Sequence, residues 1–403
     1  MQKTVLIIST LDTKGLETDY LVEKLKELGL NTLLMDISMR GAAPSPADIP
    51  PDRVAAAGGG SFEEIRNSRN RSQITNITMA GASRIAADLL SENNLDGVIG
   101  IGGSTGTLMA TEVMRSLPFG IPKVMISSTA ALPGLATRYI GTGDIALFHS
   151  VVEISGVSDL LKNVMDRAAE ALTGMVLGKV TSPKTGDGKA IALTMLGPCE
   201  KCASAVRGSL ESKGFQVIGF SAAGIGDRAM EDMIANDFFQ GVVDLAPGGV
   251  GEHLYGFMRD AGPQRLETAG KVGIPQIIST CSVNHMTPAK SKYKPEYHDR
   301  RKYDLDKFRT WIRLSSDELR EVAGAFAAKL NQATGPVRVV IPQMGWSSVD
   351  SPQNPTYDPE EDQVFVKVLR EKLTSDISIV EIPANMEDEA FAQAIVTAAL
   401  EIF

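Results

Sequence analysis

The run Asp96-Gly97-Val98-Ile99-Gly100-Ile101-Gly102-Gly103-Ser104-Thr105-Gly106-Thr107-Leu108-Met109-Ala110-Thr111-Glu112 constrains the fold more than any other part of the chain. Its apolar front half suits a strand buried on both faces, its small residues a tight turn, and its back half a helix capped by Ser104 or Thr105. Glycines let backbone N–H groups approach an anion with no Cβ in the way, and a helix start adds the positive end of its dipole. The turn therefore suits a phosphate. Its spacing fits neither the six-residue dinucleotide fingerprint nor the Gly-Lys-Ser/Thr phosphate loop, and a tight turn that binds nothing is the competing reading.

The rest of the chain repeats this alternation. Thr4 to Ser9 reads as a strand ending in Thr10-Leu11-Asp12-Thr13-Lys14-Gly15, followed by a helix from about Glu17 to Leu28 that stops at Gly29. Asn31 to Met35 is a second strand with Asp36 at its carboxyl end, and Pro44 to Pro51 a proline-rich surface loop. Gly58-Gly59-Gly60 precedes a polar segment with Arg66, Arg69 and Arg71, expected to be mobile or to rim a site. A helix from about Ile74 to Asn93 leads into the central strand, and Pro122 to Ser127 is the next one. Tyr139-Ile140-Gly141-Thr142-Gly143-Asp144 reads as a loop that closes on something, and Leu160 to Gly178 as a helix leaving this half.

The segment 181–189 is the clearest linker, after which the pattern restarts with strands at Ala190–Leu196 and Phe215–Phe220 around a helix at Cys202–Lys213. Gly241-Val242-Val243-Asp244 echoes Gly97-Val98-Ile99-Gly100, and Gly273-Ile274-Pro275 echoes Gly120-Ile121-Pro122. The expected architecture is α/β: two Rossmann-like, doubly wound parallel-sheet subdomains, 1–180 and 190–403, with ligands in a cleft between them at the carboxyl ends of the strands.

Composition narrows the partners. The 403 residues exceed one ordinary core, and Asp and Glu outnumber Lys and Arg by 49 to 40. A net charge of −9 argues against nucleic acid or an anionic membrane surface, so any phosphate site must be built locally. No apolar run approaches membrane-spanning length and Met1-Gln2-Lys3 runs straight into a strand, which makes a cytoplasmic location the expectation. Three cysteines do not make a disulfide framework, and Cys199-Glu200-Lys201-Cys202 lacks both the aromatic lead-in of a redox pair and a second pair for zinc.

Several residues suggest chemistry, each with a plainer alternative. Lys14 could meet a terminal phosphate and Asp12 a magnesium ion, or Asp12-Thr13-Lys14 could be a solvated turn. Asp36 stands where related folds place an acid against a ribose hydroxyl, and also where an acid caps a helix. In the second half, the turn with Gly224, Gly226 and Arg228 could hold an anion, or Arg228 could pair with Asp232 or Glu231. The turn Gly248-Gly249-Val250-Gly251-Glu252-His253 could bind a ligand or hold a proton-transfer group, though such a histidine is more often structural. Cys281, Asn284, His285 and His298 follow a strand end without defining a catalytic set. Lys290 to Arg309 carries eight Lys or Arg residues among Tyr293, Tyr297, Tyr303 and Phe308, but also acids, and reads as a polar lid over the cleft or a solvated loop.

With these blocks collected, the chain resembles the ATP-binding domain family typified by the N-terminal region of the tomato mosaic virus resistance protein. The resemblance runs through Asp12-Thr13-Lys14-Gly15, Gly102 to Thr107, Leu117 to Lys123, Tyr139 to Asp144, Arg228 to Glu231, Ala261 to Glu267 and Gly273 to Pro275, over nearly the whole length. It implies ATP with Mg2+ in the first half, contacts from Asp12, Thr13, Lys14, Gly102, Gly103, Ser104, Thr105, Gly106 and Thr107, and a homodimer. The second half departs from the family pattern at Ser221 to Gly224, Ala246 to Glu252 and Asn284 to Thr287, so its small-molecule ligand should differ. An ATP-dependent enzyme on a small anionic metabolite would draw on Lys14, Arg228, Glu252, His285 or His298. A non-catalytic nucleotide-binding or regulatory module, and an ATP-independent hydrolase or lyase of a phosphorylated or carboxylated compound, stay open beside it.

Overall fold

The computed structural model describes residues 2–40, 46–179, 190–307 and 309–403, so the expected linker 181–189 and Phe308 lie outside the described residues. The chain divides into two compact units, Met1–Pro183 and Lys184–Phe403.

Unit 1 runs β1 (Thr4–Ser9), α1 (Leu11–Glu27), β2 (Asn31–Asp36), α2 (Pro51–Ala57), α3 (Phe62–Asn67), α4 (Arg71–Ser91), β3 (Gly97–Gly102), α5 (Ser104–Ser116), β4 (Lys123–Ser127), α6 (Leu135–Ile140), β5 (Ala146–His149) and α7 (Asp159–Leu177). Its strands form one parallel sheet in the order β2-β1-β3-β4-β5. Alternation along buried strands supplies both faces: Val5, Ile7, Ile99 and Ile101 pack under α1 and α7, while Leu6, Ile8 and Val98 pack under α4 and α5. The chain therefore leaves β1 toward one face and β3 toward the other. Their carboxyl ends part at this switch of direction, where doubly wound sheets take their ligands.

Unit 2 runs β6 (Ala190–Met195), α8 (Glu200–Ser212), β7 (Gln216–Ser221), α9 (Ile225–Ala235), β8 (Gly241–Asp244), α10 (Gly249–Tyr255), α11 (Thr268–Val272) and β9 (Gln276–Ile278). It continues with β10 (His285–Met286), β11 (Lys302–Asp304), β12 (Thr310–Arg313), α12 (Ser316–Leu330), β13 (Val337–Pro342), α13 (Pro359–Lys372), β14 (Ser378–Ile382) and α14 (Glu389–Ile402). Six parallel strands lie in the order β14-β13-β9-β8-β6-β7, which is the order of unit 1 extended by one strand. Both units are thus doubly wound Rossmann-like α/β sheets flanked by helices. A small antiparallel sheet, β10-β12-β11, is inserted after β9.

That inserted sheet corrects the reading of Lys290 to Arg309 as a lid or a solvated loop. Tyr297 is buried in the core with Arg300 stacked 5.0 Å from its ring centre, and Lys302 to Asp304 pair with β12. Tyr297, with Tyr293 packed 6.2 Å from it, anchors the segment. Tyr139 to Asp144 is likewise structural: Asp144 pairs with the buried Lys123 at 2.5 Å, and Arg115 donates to the carbonyls of Arg138 and Tyr139. The expected polar stretch after Gly58-Gly59-Gly60 holds a short helix, α3, with a Ser61/Glu64 capping box, and α2 precedes those glycines. Among the described residues no helix is long and apolar enough to cross a membrane.

Candidate functional site

The switch of direction in unit 1 opens into a concavity of about 410 Å³. One wall is the start of α1 (Thr10, Asp12, Thr13, Lys14), the other the start of α5 (Gly103, Ser104, Thr105, Gly106), and Met39, Arg40, Arg71 and Ile74 close the side. The two helix starts are treated differently. Asp36 Oδ1 accepts from the Leu11 amide at 3.1 Å and Ser38 Oγ from the Asp12 amide at 3.0 Å, so residues beyond β2 occupy the donors of α1. Helix α5 begins at Gly103 with no side-chain cap. Its first-turn amides have no intrahelical acceptor and face a ligand-sized space.

The expectation that Ser104 or Thr105 caps α5 is therefore corrected. Ser104 and Thr105 are the first two residues inside the helix, Ser104 exposed, and Thr105 Oγ1 accepts from Arg71 Nη2 at 2.9 Å. That contact brings a guanidinium from the start of α4 over the α5 N-terminus, turning the expected rim into part of the wall. With Arg40 beside it, the concavity gains a local positive field inside an acidic protein.

The glycines divide the labour. A Cβ on Gly102 would press at 3.1 Å on Gly106 Cα, so Gly102 lets the first turn of α5 sit against the strand end. At Gly106 the nearest atom is Thr10 Oγ1, 3.8 Å away, so its missing side chain leaves open space beside the ligand wall. Thr107 is not a ligand: it is buried and donates to the Gly102 carbonyl or bonds Ser127 Oγ, 2.8 Å away, pinning the turn from behind.

Two more expected contacts are redirected. Lys14 interrupts α1 with φ −129°, and its Nζ donates to the Ile154 carbonyl with Glu153 at 4.0 Å, so its ammonium is already engaged. Asp36 is buried, accepts from Leu11 and from Ser38 N and Oγ, and takes the capping role in place of the ribose role. Burial, the dominant influence, lifts its carboxyl above the usual range.

In unit 2 the glycines proposed for a second ligand serve packing. Gly224 (φ +92°) lies 3.0 Å, by its would-be Cβ, from the Asp260 carbonyl; Gly226 would collide with the Ser221 carbonyl, Gly248 with Ser282, and Gly249 would come within 2.5 Å of the Ala261 side chain. Arg228 pairs with Asp260 at 3.2 Å, a partner beyond those expected, and His253 Nδ1 lies 2.8 Å from the same carboxylate. Glu252 is enclosed by Arg259 at 2.8 Å and Thr287 at 2.7 Å. His298 is exposed at the end of a 3-10 turn of helix, Pro295–His298, 5.7 Å from the Tyr293 ring. All three cysteines are buried free thiols; burial pushes Cys202 far up, and a hydrogen bond with Cys199 together with burial raises Cys281, which disfavours the reactive thiolate at both.

Sequence reasoning missed the groups that hold this unit's strand ends. Arg265 is wholly buried among Asp227 (2.8 Å), Asp244 (2.8 Å) and Glu231 (3.5 Å). Arg313, Asn284, Asp350 and Asp362 form a second such cluster: Asn284 Nδ2 donates to Asp350 at 2.8 Å and Asp362 at 2.9 Å, and Arg313 pairs with Asp362 at 2.5 Å. Their acids lie 21 or more positions from their arginines, and no local pattern signals that. The hints were Arg265 and Glu231 inside blocks of the family resemblance and Asn284 after a strand end.

Fold and site together define a Rossmann-like α/β protein of the kind that holds a nucleotide or another small ligand. Residues 3–181 match the N-terminal domain, and residues 188–403 the C-terminal domain, of the uncharacterised protein family UPF0261, and the chain belongs to that family. It is 35% identical over 396 residues to a UPF0261 protein of Clostridium tetani, covering 98% of this chain and 97% of that one. It is 34% identical over 354 residues to the ToMV resistance protein Tm-1(GCR237) of Solanum lycopersicum, covering 85% of this chain and 46% of the tomato protein. Among solved structures, an uncharacterized protein from Bacillus cereus aligns over 83% of this chain and 88% of that one, with a TM-score of 0.27 and 14% identity, too distant to bear on function.

Proposed function

We propose that unit 1 binds ATP as its magnesium complex, with the phosphates against the start of α5. The observation that supports this is the uncapped N-terminus of α5 opening into the concavity while the neighbouring α1 is capped from within. Gly103 and Gly106 admit the phosphates without steric hindrance, and Arg71, Arg40 and Lys14, which also lines the concavity, supply countercharge. Among the described residues no group of three or more His, Cys, Asp or Glu side chains is arranged to hold a metal by itself. Magnesium typically binds through substrate phosphates, waters and one or two carboxylates, and Asp12 is the acid on the wall that suits that part. The bound ion would neutralise phosphate charge.

A homodimer in the cytoplasm belongs to the same reading and is supported by the family resemblance; sedimentation over a range of concentrations tests the assembly. The direct test of the site is Ser104→Glu. A glutamate in the first turn favours the helix by roughly 0.3–1 kcal/mol yet repels phosphate. The expected result is an unfolding midpoint equal to or above that of the parent, with the magnesium-ATP-dependent rise in midpoint abolished. A folded variant that keeps its ATP shift would place the nucleotide elsewhere.

A further inference from the structure

One part of unit 2 is unlike the ion-locked remainder. Where β9 ends at the carboxyl edge of the sheet, the chain runs through Ser279, Thr280 and Ser282 into His285 on β10, all buried. The hydroxyls of Ser279, Thr280 and Ser282 and both ring nitrogens of His285 have no protein partner. Arg259 spends Nε and Nη2 on Glu252, which leaves Nη1 buried and unpartnered as well. Arg259 and His285 share one neighbour: the guanidinium carbon lies 4.8 Å and the imidazole 5.6 Å from the Trp311 ring centre. Arg259 Nε also lies 3.4 Å from Thr287 Oγ1, two residues along from His285.

Native interiors rarely leave hydrogen-bonding groups unmet, and a concentration of them calls for a partner that the chain does not supply. Here the unmet capacity is mostly donor: two N–H on Arg259 Nη1, one on the imidazole, and three adaptable hydroxyls. The matching partner is small and rich in acceptors. A separate group of unmet acceptors, on Asp350, Asp362 and Asn284, lies in the second buried cluster around Arg313, where burial and the charge of Asp350 push the Asp362 carboxyl up. The position at a strand's carboxyl end is also where this class of sheet takes ligands.

We propose that unit 2 holds a small oxyanion, a carboxylate or an inorganic tetrahedral anion, between Arg259 Nη1 and His285 with the Ser279–Ser282 turn completing its shell. The site stands on geometry within unit 2 and does not rest on the nucleotide reading. His285 is neutral when nothing is bound, since burial first and then Arg313 and Arg259 hold it well below the usual range.

The test is calorimetric titration with acetate and with inorganic phosphate in full-length Ser104→Glu, so that α5 contributes no anion binding, and again in that chain carrying His285→Phe or Arg259→Lys. Saturable binding of one probe, weakened roughly tenfold or more by each added substitution, is the expected result. The probe that binds distinguishes a carboxylate from a phosphate source. His285→Phe removes unmet polar atoms from the interior and should fold at least as well as its parent, which keeps the test decisive if Arg259→Lys fails to fold. Binding untouched by His285→Phe, or binding of neither probe, overturns the proposal. ATP titration of the unsubstituted chain is read separately, so failure of the nucleotide site leaves this result intact.

Discussion

The two units share a strand order but treat the ends of equivalent strands in opposite ways. In unit 1 the third strand runs into Gly103 and an uncapped helix facing open space; in unit 2 its counterpart ends at Asp244, which is clamped by Arg265 and Thr194. The helix that follows, α10, begins at Gly248 and Gly249, which are walled in by Ser282 and Ala261. Even the first helix of each unit obeys one rule, being capped by a carboxylate from another element: Asp36 for α1, and Glu387 for the Cys202 and Lys201 amides of α8. The lesson is that a doubly wound sheet offers the same anion-ready edge each time it is built, and side chains elsewhere decide whether that edge is left for a ligand or filled from inside.

The most severe way to break this contrast is Arg265→Met. Three carboxylates would be left buried around no cation, a loss expected to cost about 3–5 kcal/mol. Denaturant unfolding should show it, and the expected signature is loss of unit 2 with the magnesium-ATP response of unit 1 retained; a small cost would mean the filled edge is not ion-locked.

Next in size is the pH response of the second buried cluster. Burial, then the charge of Asp350, pushes Asp362 up to about 8, although Arg313 and Asn284 pull it down. Asp350 and Asp362 each act on the other, so the two carboxyls titrate as a pair. The folded state therefore keeps a proton that the unfolded chain releases near pH 4, and stability should be full at low pH and fall as pH rises from about 4 to 8, by up to about 1.4 kcal/mol per pH unit. Asp362→Asn should flatten that slope in unfolding curves taken across the window. An unchanged slope would assign the proton elsewhere.

Paired glycine substitutions sharpen the contrast at the backbone. Gly226→Ala drives a methyl group into the Ser221 carbonyl and should cost about 1–3 kcal/mol. Gly106→Ala meets nothing closer than 3.8 Å and replaces glycine in a helix, so it should add up to about 1 kcal/mol while crowding the phosphate wall. Equal costs at both positions would erase the distinction between a packing glycine and a ligand glycine. The smallest effect is expected from Arg71→Ala: stability within about 0.5 kcal/mol of the parent, and nucleotide affinity lower by about tenfold for the lost charge-assisted contact.

Much of unit 1 was legible because its signals are local. Val5 to Ile8 and Val98 to Ile101 read as strands buried on both faces, and Gly102 to Gly106 as the turn that follows, since alternation and small residues act within a few positions. The cap was misplaced by one residue because Ser and Thr favour that role on average, whereas here a bare glycine holds it. The partners of Lys14 and Asp36 were not legible. Both stand at the expected edge, but Ile154, Glu153, Leu11 and Ser38 engage them there, and those partners lie up to 140 positions away.

In unit 2 the glycine turns resembled ligand cradles because glycine marks any close approach, of a phosphate or of the chain itself. Only the folded neighbours Ser221, Ser282, Ala261 and Asp260 tell the two apart. The tyrosines of 290–309 posed the same ambiguity, and burial of Tyr297 settled it.

The sequence by itself determined the alternation of strands and helices, the two doubly wound sheets and the edges at which ligands belong, because hydrophobic period and turn chemistry are read over a few residues. Tertiary structure alone decided which of those edges stays open. Charge pairing and hydrogen-bond satisfaction depend on distances between residues far apart in the chain, and those distances exist only once Arg265 has met Asp244, and Asp36 has met the start of α1.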